Sequence, residues 1–280
     1  MTFLTNISQG PTDKGQRFVI SAVEKTGKTT LAAGAPRVLL VPLEMGDGTV
    51  RCHKTPLLTS WLEVEALMAE IKTAVMQGNF PFKTIAFDTA TALERMIHDY
   101  VLTTDPKWAK GNRAAITMES ALGGYGKAYL LANEKFEQFL RWCDELAIYG
   151  KINIVITVHA TPVKVLDPAH GEYETWDLLL HSPKSQGKYG KREILTQWAD
   201  FVGFLHEPMF VVKAGEGERM NRAVSANQGR QIAVDRTPQW VAGNRYGLTG
   251  MIAIPPVNGW NNIAQAIHTA TGIDVFNRDI

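Results

Sequence analysis

The stretch Ala22-Val23-Glu24-Lys25-Thr26-Gly27-Lys28-Thr29, continued by Thr30, has residue types and spacing that bind phosphate. It matches the pattern G-x-x-x-x-G-K-[ST], with Ala22 where the first glycine would stand. In that pattern, loop N–H groups and the positive end of the following helix surround phosphate oxygens. Lys28 reaches the β- and γ-phosphates, and the Thr29 hydroxyl binds Mg²⁺. Alanine is the smallest side chain after glycine, so a small backbone adjustment admits it. The plainer alternative is a chance Gly-Lys-Thr at a helix start. A second chemical position is Asp88, which closes the apolar run at residues 83–88. A carboxylate there holds Mg²⁺, directly or through water. A solvated strand-end acid or a helix cap is the bland reading of the same residue. The ligand these residues imply is ATP with Mg²⁺.

The elements around them supply the context. Residues 17–21 read as a strand before the loop, and a helix follows it. Residues 37–42 form a second apolar run that ends in a turn-rich segment carrying Glu44. Trp61, Val64, Met68, Ile71 and Val75 fall on one helical face, with Ser60 and Glu63 as a capping box and Gly78 as the stop. Residues 83–88 are a third strand. Leu93, Met96, Ile97, Tyr100 and Val101 mark the next helix. A long helix with Phe136, Phe139, Leu140, Cys143 and Ala147 on one side ends at Gly150, and residues 152–158 are a fourth buried strand. Residues 162–189 read as long and irregular, with a possible hairpin around His170-Gly171. Three strand-like runs and an amphipathic helix over 261–270 complete the chain. Apolar strands alternating with amphipathic helices predict an α/β fold whose mainly parallel sheet is covered on both faces, with antiparallel strands added toward the C-terminus. No composition break divides the 280 residues, so one domain over 1–280 is expected.

Composition narrows the class. Hydrophobic residues are 45% of the chain and charged residues 20%, which fits a folded soluble protein. With Lys+Arg 29 against Asp+Glu 28, global charge makes no case for nucleic acid, and any such case must rest on local patches. Cys52 and Cys143 lie far apart without metal-ligand spacing, so structural thiols in a reducing cytoplasm are expected. No apolar run reaches the roughly 18 residues of a membrane span, and the N-terminus lacks the pattern of a secretory signal. No membrane partner is expected.

Motif order adds a resemblance. Walker A at 22–29, Glu44 after the second strand, FDTATALE from Phe87, ITVHATP ending the fourth strand, GGYGKAY and GNRYGL together resemble the RecA-like P-loop ATPases. They look most like a phage-encoded branch that includes single-strand annealing proteins. The similarity runs over roughly residues 18–248, a motif-level match. It implies a RecA-like P-loop NTPase core and a catalytic set of Lys28, Glu44, His159 and Arg245. Glu44 would polarise the attacking water, with Asp47 a near competitor. His159 would contact the γ-phosphate, or serve only as a structural strand-end histidine. Arg245 would act in a neighbouring subunit's site, although Gly243 stands where the family has a lysine. The resemblance also implies single-stranded DNA as partner, a homo-oligomer or filament, and a single-stranded DNA-binding protein as a further partner.

Residues 103–126 and 161–192 correspond to the family's DNA-binding loops. The first carries Lys107, Trp108, Lys110 and Arg113; the second carries Lys184, Lys188, Tyr189, Lys191 and Arg192. Cations beside aromatics suit a single strand, because charge follows phosphate and rings stack on bases. Lysines that serve solubility and aromatics that anchor a loop to its own domain are the alternative. In function, the leading expectation is a DNA-stimulated ATPase of recombination or annealing. A helicase or helicase-loader module, a small-molecule kinase and a non-hydrolysing nucleotide-dependent scaffold are the competing ones.

Overall fold

The computed structural model describes Gly10 and residues 12–111, 116–169, 171–183, 189–212, 222–226 and 229–276. The first half of the chain alternates strand and helix: β1 (Arg17–Ala22), α1 (Lys28–Ala33), β2 (Val38–Pro42), the short β3 (His53–Lys54), α2 (Trp61–Met76), β4 (Thr84–Asp88) and α3 (Ala90–Thr103). A turn of helix α4 (Pro106–Ala109) and a 3-10 turn (Ala121–Gly123) lead to the long α5 (Lys127–Tyr149). The second half is richer in strands: β5 (Asn153–Asp167), β6 (Gly171–Leu178), α6 (Lys191–Trp198), β7 (Phe201–His206), β8 (Met209–Val212), β9 (Arg222–Ser225), β10 (Arg230–Ala233), β11 (Gly243–Asn244), β12 (Met251–Ile254) and α7 (Gly259–Thr271).

The strands assemble in the order β12-β10-β7-β1-β5-β4-β2-β3. From β7 to β3 every pairing is parallel, and β10, β11 and β12 add to the β7 edge in antiparallel fashion. The fold is therefore a mainly parallel α/β sheet with antiparallel additions, as the alternation of apolar runs predicts. Period-2 alternation sends neighbouring residues of β1 to opposite faces. Val19 joins a core with Ile85, Phe87 and Ile156 under Trp61, Ile97, Phe136 and Phe139 of α2, α3 and α5. Phe18 and Ile20 join the other core with Leu31 of α1 and Trp260, Ile263 and Ile267 of α7.

Local chemistry fixes the helix ends. The Ser60 side chain accepts the Glu63 N–H, and the Glu63 carboxylate accepts the Ser60 N–H, so the expected capping box opens α2. Gly78, at φ +71°, follows α2. Cys143 is fully buried, and burial pushes its thiol well above the usual range.

Within 162–189, expected to be irregular with a possible hairpin around His170-Gly171, a long hairpin forms. β5 continues past Val158 to Asp167 and turns back as β6, with Val163 opposite Thr175 and Val165 opposite Tyr173. Val163 and Val165 on one arm facing Thr175 and Tyr173 on the other are β-branched and aromatic pairs that favour this ladder over a loop. His170, the expected turn residue, lies outside the described residues. Within 103–126, Asp105 accepts N–H bonds from Lys107 at 2.7 Å and Leu122 at 2.6 Å, so one carboxylate ties α4 to the 3-10 turn.

Candidate nucleotide and catalytic site

Parallel pairing brings the C-terminal ends of four strands to one edge. Ala22 is opposite His159, Asp88 is opposite Thr157, and Pro42 is opposite Asp88. The residues just beyond these ends therefore face a common crevice. Open α/β sheets bind their ligands in this position, outside the carboxyl ends of the strands.

The loop from Val23 to Gly27 leaves β1 and enters α1 through left-handed turns at Lys25 (φ 61°) and Gly27 (φ 96°). The Thr26 hydroxyl donates to the Val23 carbonyl at 3.0 Å and closes the loop. Lys28 is buried, and its Nζ donates to the Ala22 and Val23 carbonyls, each at 3.1 Å. Burial pulls this ammonium below its ordinary range, against the attraction of Asp88, Glu44 and Glu24. A cation held this way gains from an incoming phosphate, whose negative charge offers an ion pair that neutral backbone carbonyls do not.

Asp88 is 3% exposed, so its carboxylate must be satisfied from within. Thr29 Oγ1 donates to Oδ2 at 2.7 Å. The Thr157 hydroxyl donates to the other oxygen, Oδ1. A hydroxyl and a carboxylate side by side are hard oxygen donors of the kind Mg²⁺ takes, and that ion completes its shell with phosphate oxygens and water. Among the described residues no cluster of three or more His, Cys, Asp or Glu side chains forms a protein-only metal cage. The donor set thus fits an ion that arrives with a nucleotide.

Glu44 and His159 meet across the same crevice, with Oε1 and Nε2 2.8 Å apart. Burial works to raise the Glu44 carboxyl, but His159, Lys28 and Arg95 outweigh it and hold it below the usual carboxylate range. The carboxylate is therefore ionised at neutral pH, as a base or water-orienting group requires. The backbone N–H of His159 donates to Thr91 Oγ1 at 3.2 Å, and the Thr91 hydroxyl in turn donates to the Leu179 carbonyl. His159 Nδ1 is buried and makes no hydrogen bond among the described residues. Asp47, the near competitor of Glu44, pairs with Lys54 at 2.6 Å.

Arg245 lies elsewhere. Its neighbour Asn244 pairs with Phe201, at the start of β7, so it sits at the opposite edge of the sheet from the phosphate loop. There Arg245 Nη1 is 3.1 Å from Asp200, which also holds Lys14 and Arg17. Arg245 is not part of its own chain's crevice.

The residues expected to touch nucleic acid differ in exposure and pairing. Lys107 and Lys110 are exposed, and Trp108 is half-buried against the core. Tyr189 is exposed, while Arg192 is bonded to Asp177, Glu193 and Ser182. Arg113, Lys184 and Lys188 lie outside the described residues. Lys191 requires a correction. Its side chain is 0% exposed, with Nζ 3.0 Å from His98 Nε2 and 3.4 Å from Glu94. It begins a helix that packs inward, and a cation sealed against its own carboxylate cannot track a phosphate backbone.

Sequence reasoning passed over Thr157, whose only signal is its place two residues before His159 on a buried strand. It also passed over the aromatic group beside the loop. Trp176, Phe204, His206 and Trp240 stack with centroid separations of 5.2–6.2 Å. They help line a cavity of about 950 Å³ that reaches Val23, Glu24, Lys25 and Thr26. Trp176 and Trp240 come together only through the β6 hairpin, a pairing no local pattern announces.

A strand–loop–helix with Lys28, a facing hydroxyl–carboxylate pair and a crevice at the sheet's carboxyl edge define a P-loop nucleotide-binding protein. The family model described as AAA domain matches residues 14–246, and the chain belongs to that family of P-loop ATPases. No curated protein matches the chain. No helix among the described residues is long and apolar enough to cross a membrane.

Proposed function

We propose that this chain is a RecA-like ATPase, of the kind phages encode, that couples binding and hydrolysis of Mg·ATP to binding of single-stranded DNA in recombination or annealing. The observation that carries the proposal is the continuity of β5. One strand bears Thr157 against Asp88, His159 against Glu44, and then the hairpin that projects beyond the sheet.

In this reading the loop N–H groups from Glu24 to Thr29 bind the α- and β-phosphates, and Lys28 leaves its carbonyls for the β- and γ-phosphates. Thr29 and Asp88 would hold Mg²⁺, which would supply positive charge beside the phosphates. Glu44 accepts a proton from water as that water's oxygen attacks the γ-phosphorus, and ADP departs with the broken bond's electrons. His159 fixes the Glu44 carboxylate and senses the γ-phosphate. Its shift is passed through Thr91 and Leu179 to the segment after β6.

The DNA surface is formed by the β5–β6 hairpin and the turn near residue 125. Tyr125 is 97% exposed and Tyr189 60% exposed, and Lys107 and Lys110 are exposed within the same 103–126 segment as Tyr125. Exposed rings and exposed cations in the same segments suit stacking and phosphate tracking along one strand. Arg245 serves a neighbouring subunit in a homo-oligomer or filament in the host cytoplasm, releasing Asp200 to do so.

Affinity for a fluorescent single-stranded oligonucleotide, measured with a non-hydrolysable ATP analogue and with ADP at one fixed salt concentration, tests the coupling. Tighter binding with the analogue is expected. Equal affinity in both states refutes it.

A further inference from the structure

The phosphate loop has a second basic neighbour that comes from the antiparallel edge of the sheet. β10 runs against β7, with Gln231 opposite His206, so Arg230 stands at the carboxyl edge of the sheet, level with the loop. A Cβ built on Gly27 would lie 2.2 Å from Arg230 Nη1 and 3.3 Å from its Cζ. The guanidinium therefore rests directly on the α-carbon side of Gly27. At φ 96° this position favours glycine, and a side chain here would have to displace the Arg230 guanidinium.

Charge makes the placement informative. Lys28 already has Asp88, Glu44 and Glu24 around it. Arg230 is half-buried, and among the described residues no carboxylate lies within ion-pair distance of it. A half-buried guanidinium pressed against the loop that enters α1, where the helix N-terminus is positive, is matched by an anion. Its planar fork suits phosphate oxygens better than an ammonium does.

We propose that Arg230 is a second cation of the nucleotide site, contributed by the same chain, and that it binds the α/β-phosphate part of the ligand. The assignment rests on the nucleotide reading above and extends it by a residue from outside the loop. Gly27 belongs to the part of the loop that cradles the α- and β-phosphates, so the contact is made with ADP as well as ATP. The ligand class is a nucleoside di- or triphosphate, and a monophosphate gains less.

Calorimetric titration with Mg·ATP and with Mg·ADP tests this on the full chain. Arg230→Gln keeps the aliphatic stem and is expected to bind both nucleotides about tenfold more weakly or worse, the range of a lost charge-assisted hydrogen bond. Arg230→Lys should fall between parental and Arg230→Gln. Melting temperature without nucleotide should not change, and in turnover KM should rise more than kcat falls. Lys28→Ala serves as the reference. If Arg230→Gln binds both nucleotides within twofold of the parental protein while Lys28→Ala loses them, the arginine assignment is overturned and the nucleotide site stands. If the parental protein binds neither nucleotide, both readings fall together.

Discussion

Replacing Glu44 by glutamine removes one charge and almost nothing else. The amide oxygen of the new side chain can still accept from His159 at the 2.8 Å now spanned by Oε1 and Nε2, so the crevice keeps its shape. Lys28 loses one of three attracting carboxylates but retains Asp88 and Glu24. Nucleotide affinity should therefore change by no more than about threefold, under the ~1.4 kcal/mol that tenfold represents. The proton acceptor, by contrast, is gone, and a positioned general base contributes roughly 10²–10⁴ in rate, or about 3–5 kcal/mol of barrier. Single-turnover hydrolysis of radiolabelled ATP should slow by at least about 100-fold in Glu44→Gln, with binding intact. His159→Ala supplies the complementary shift. Burial raises the Glu44 carboxyl, and His159 is the first of the groups that overcome it. Without the imidazole the carboxyl moves up, so the acid limb of the pH–rate profile should move to higher pH. Hydrolysis at the parental rate in Glu44→Gln would refute the assignment of the base.

Further outcomes follow from the same geometry. Lys191→Ala leaves Glu94 as an uncompensated buried carboxylate and should cost about 3–5 kcal/mol in urea denaturation, whereas the double variant Glu94→Gln/Lys191→Met should recover most of it; a loss under about 1 kcal/mol would mean the pair is not buried in solution. His98 is held down to about 3 by burial first and then by Lys191 and His181. The unfolded chain binds that proton below about pH 6.5 and the folded chain does not, so stability should fall by up to ~1.4 kcal/mol per pH unit as pH drops from about 6.5 toward 3; His98→Gln should flatten this slope in thermal melts, and an unchanged slope would contradict the burial. Arg245→Ala should change the stability of the isolated chain by about 1 kcal/mol or less, since Arg245 is itself more than half exposed and the buried Asp200 keeps Lys14 and Arg17, while lowering hydrolysis only at concentrations where the protein assembles; full turnover in the assembled state would exclude a role between subunits.

Local chemistry made much of the fold legible. Ser60 and Glu63 could be paired from spacing alone, and the strands that end near Ala22, Pro42 and Asp88 could be placed from apolar runs bounded by turn residues. The approach of Glu44 and His159 to one another followed only in outline, because each was known to sit past a strand end but strand order was not. Four features depended on contacts between distant segments. Lys191 looks like a solvent-exposed cation in a Lys-rich stretch, and only the packing around α6 and α3 reveals it as buried beside Glu94. Arg230 reaches Gly27 because β10 is antiparallel to β7, an orientation no residue type encodes. Trp176 finds Trp240 through the β5–β6 hairpin, which the sequence suggested near Gly171 but did not extend back to Thr161. Arg245 shares a motif-like context with a trans-acting arginine, yet its own chain engages it through Asp200.

One coupling is central, that between the phosphate crevice and the segments that follow Asp88 and His159. Steady-state ATP hydrolysis by the purified chain, with and without single-stranded DNA at one fixed salt concentration and with Lys28→Ala alongside, tests it most directly. The expected result is hydrolysis that DNA stimulates and that Lys28→Ala abolishes. Hydrolysis that Lys28→Ala abolishes but DNA leaves unchanged would contradict the coupling.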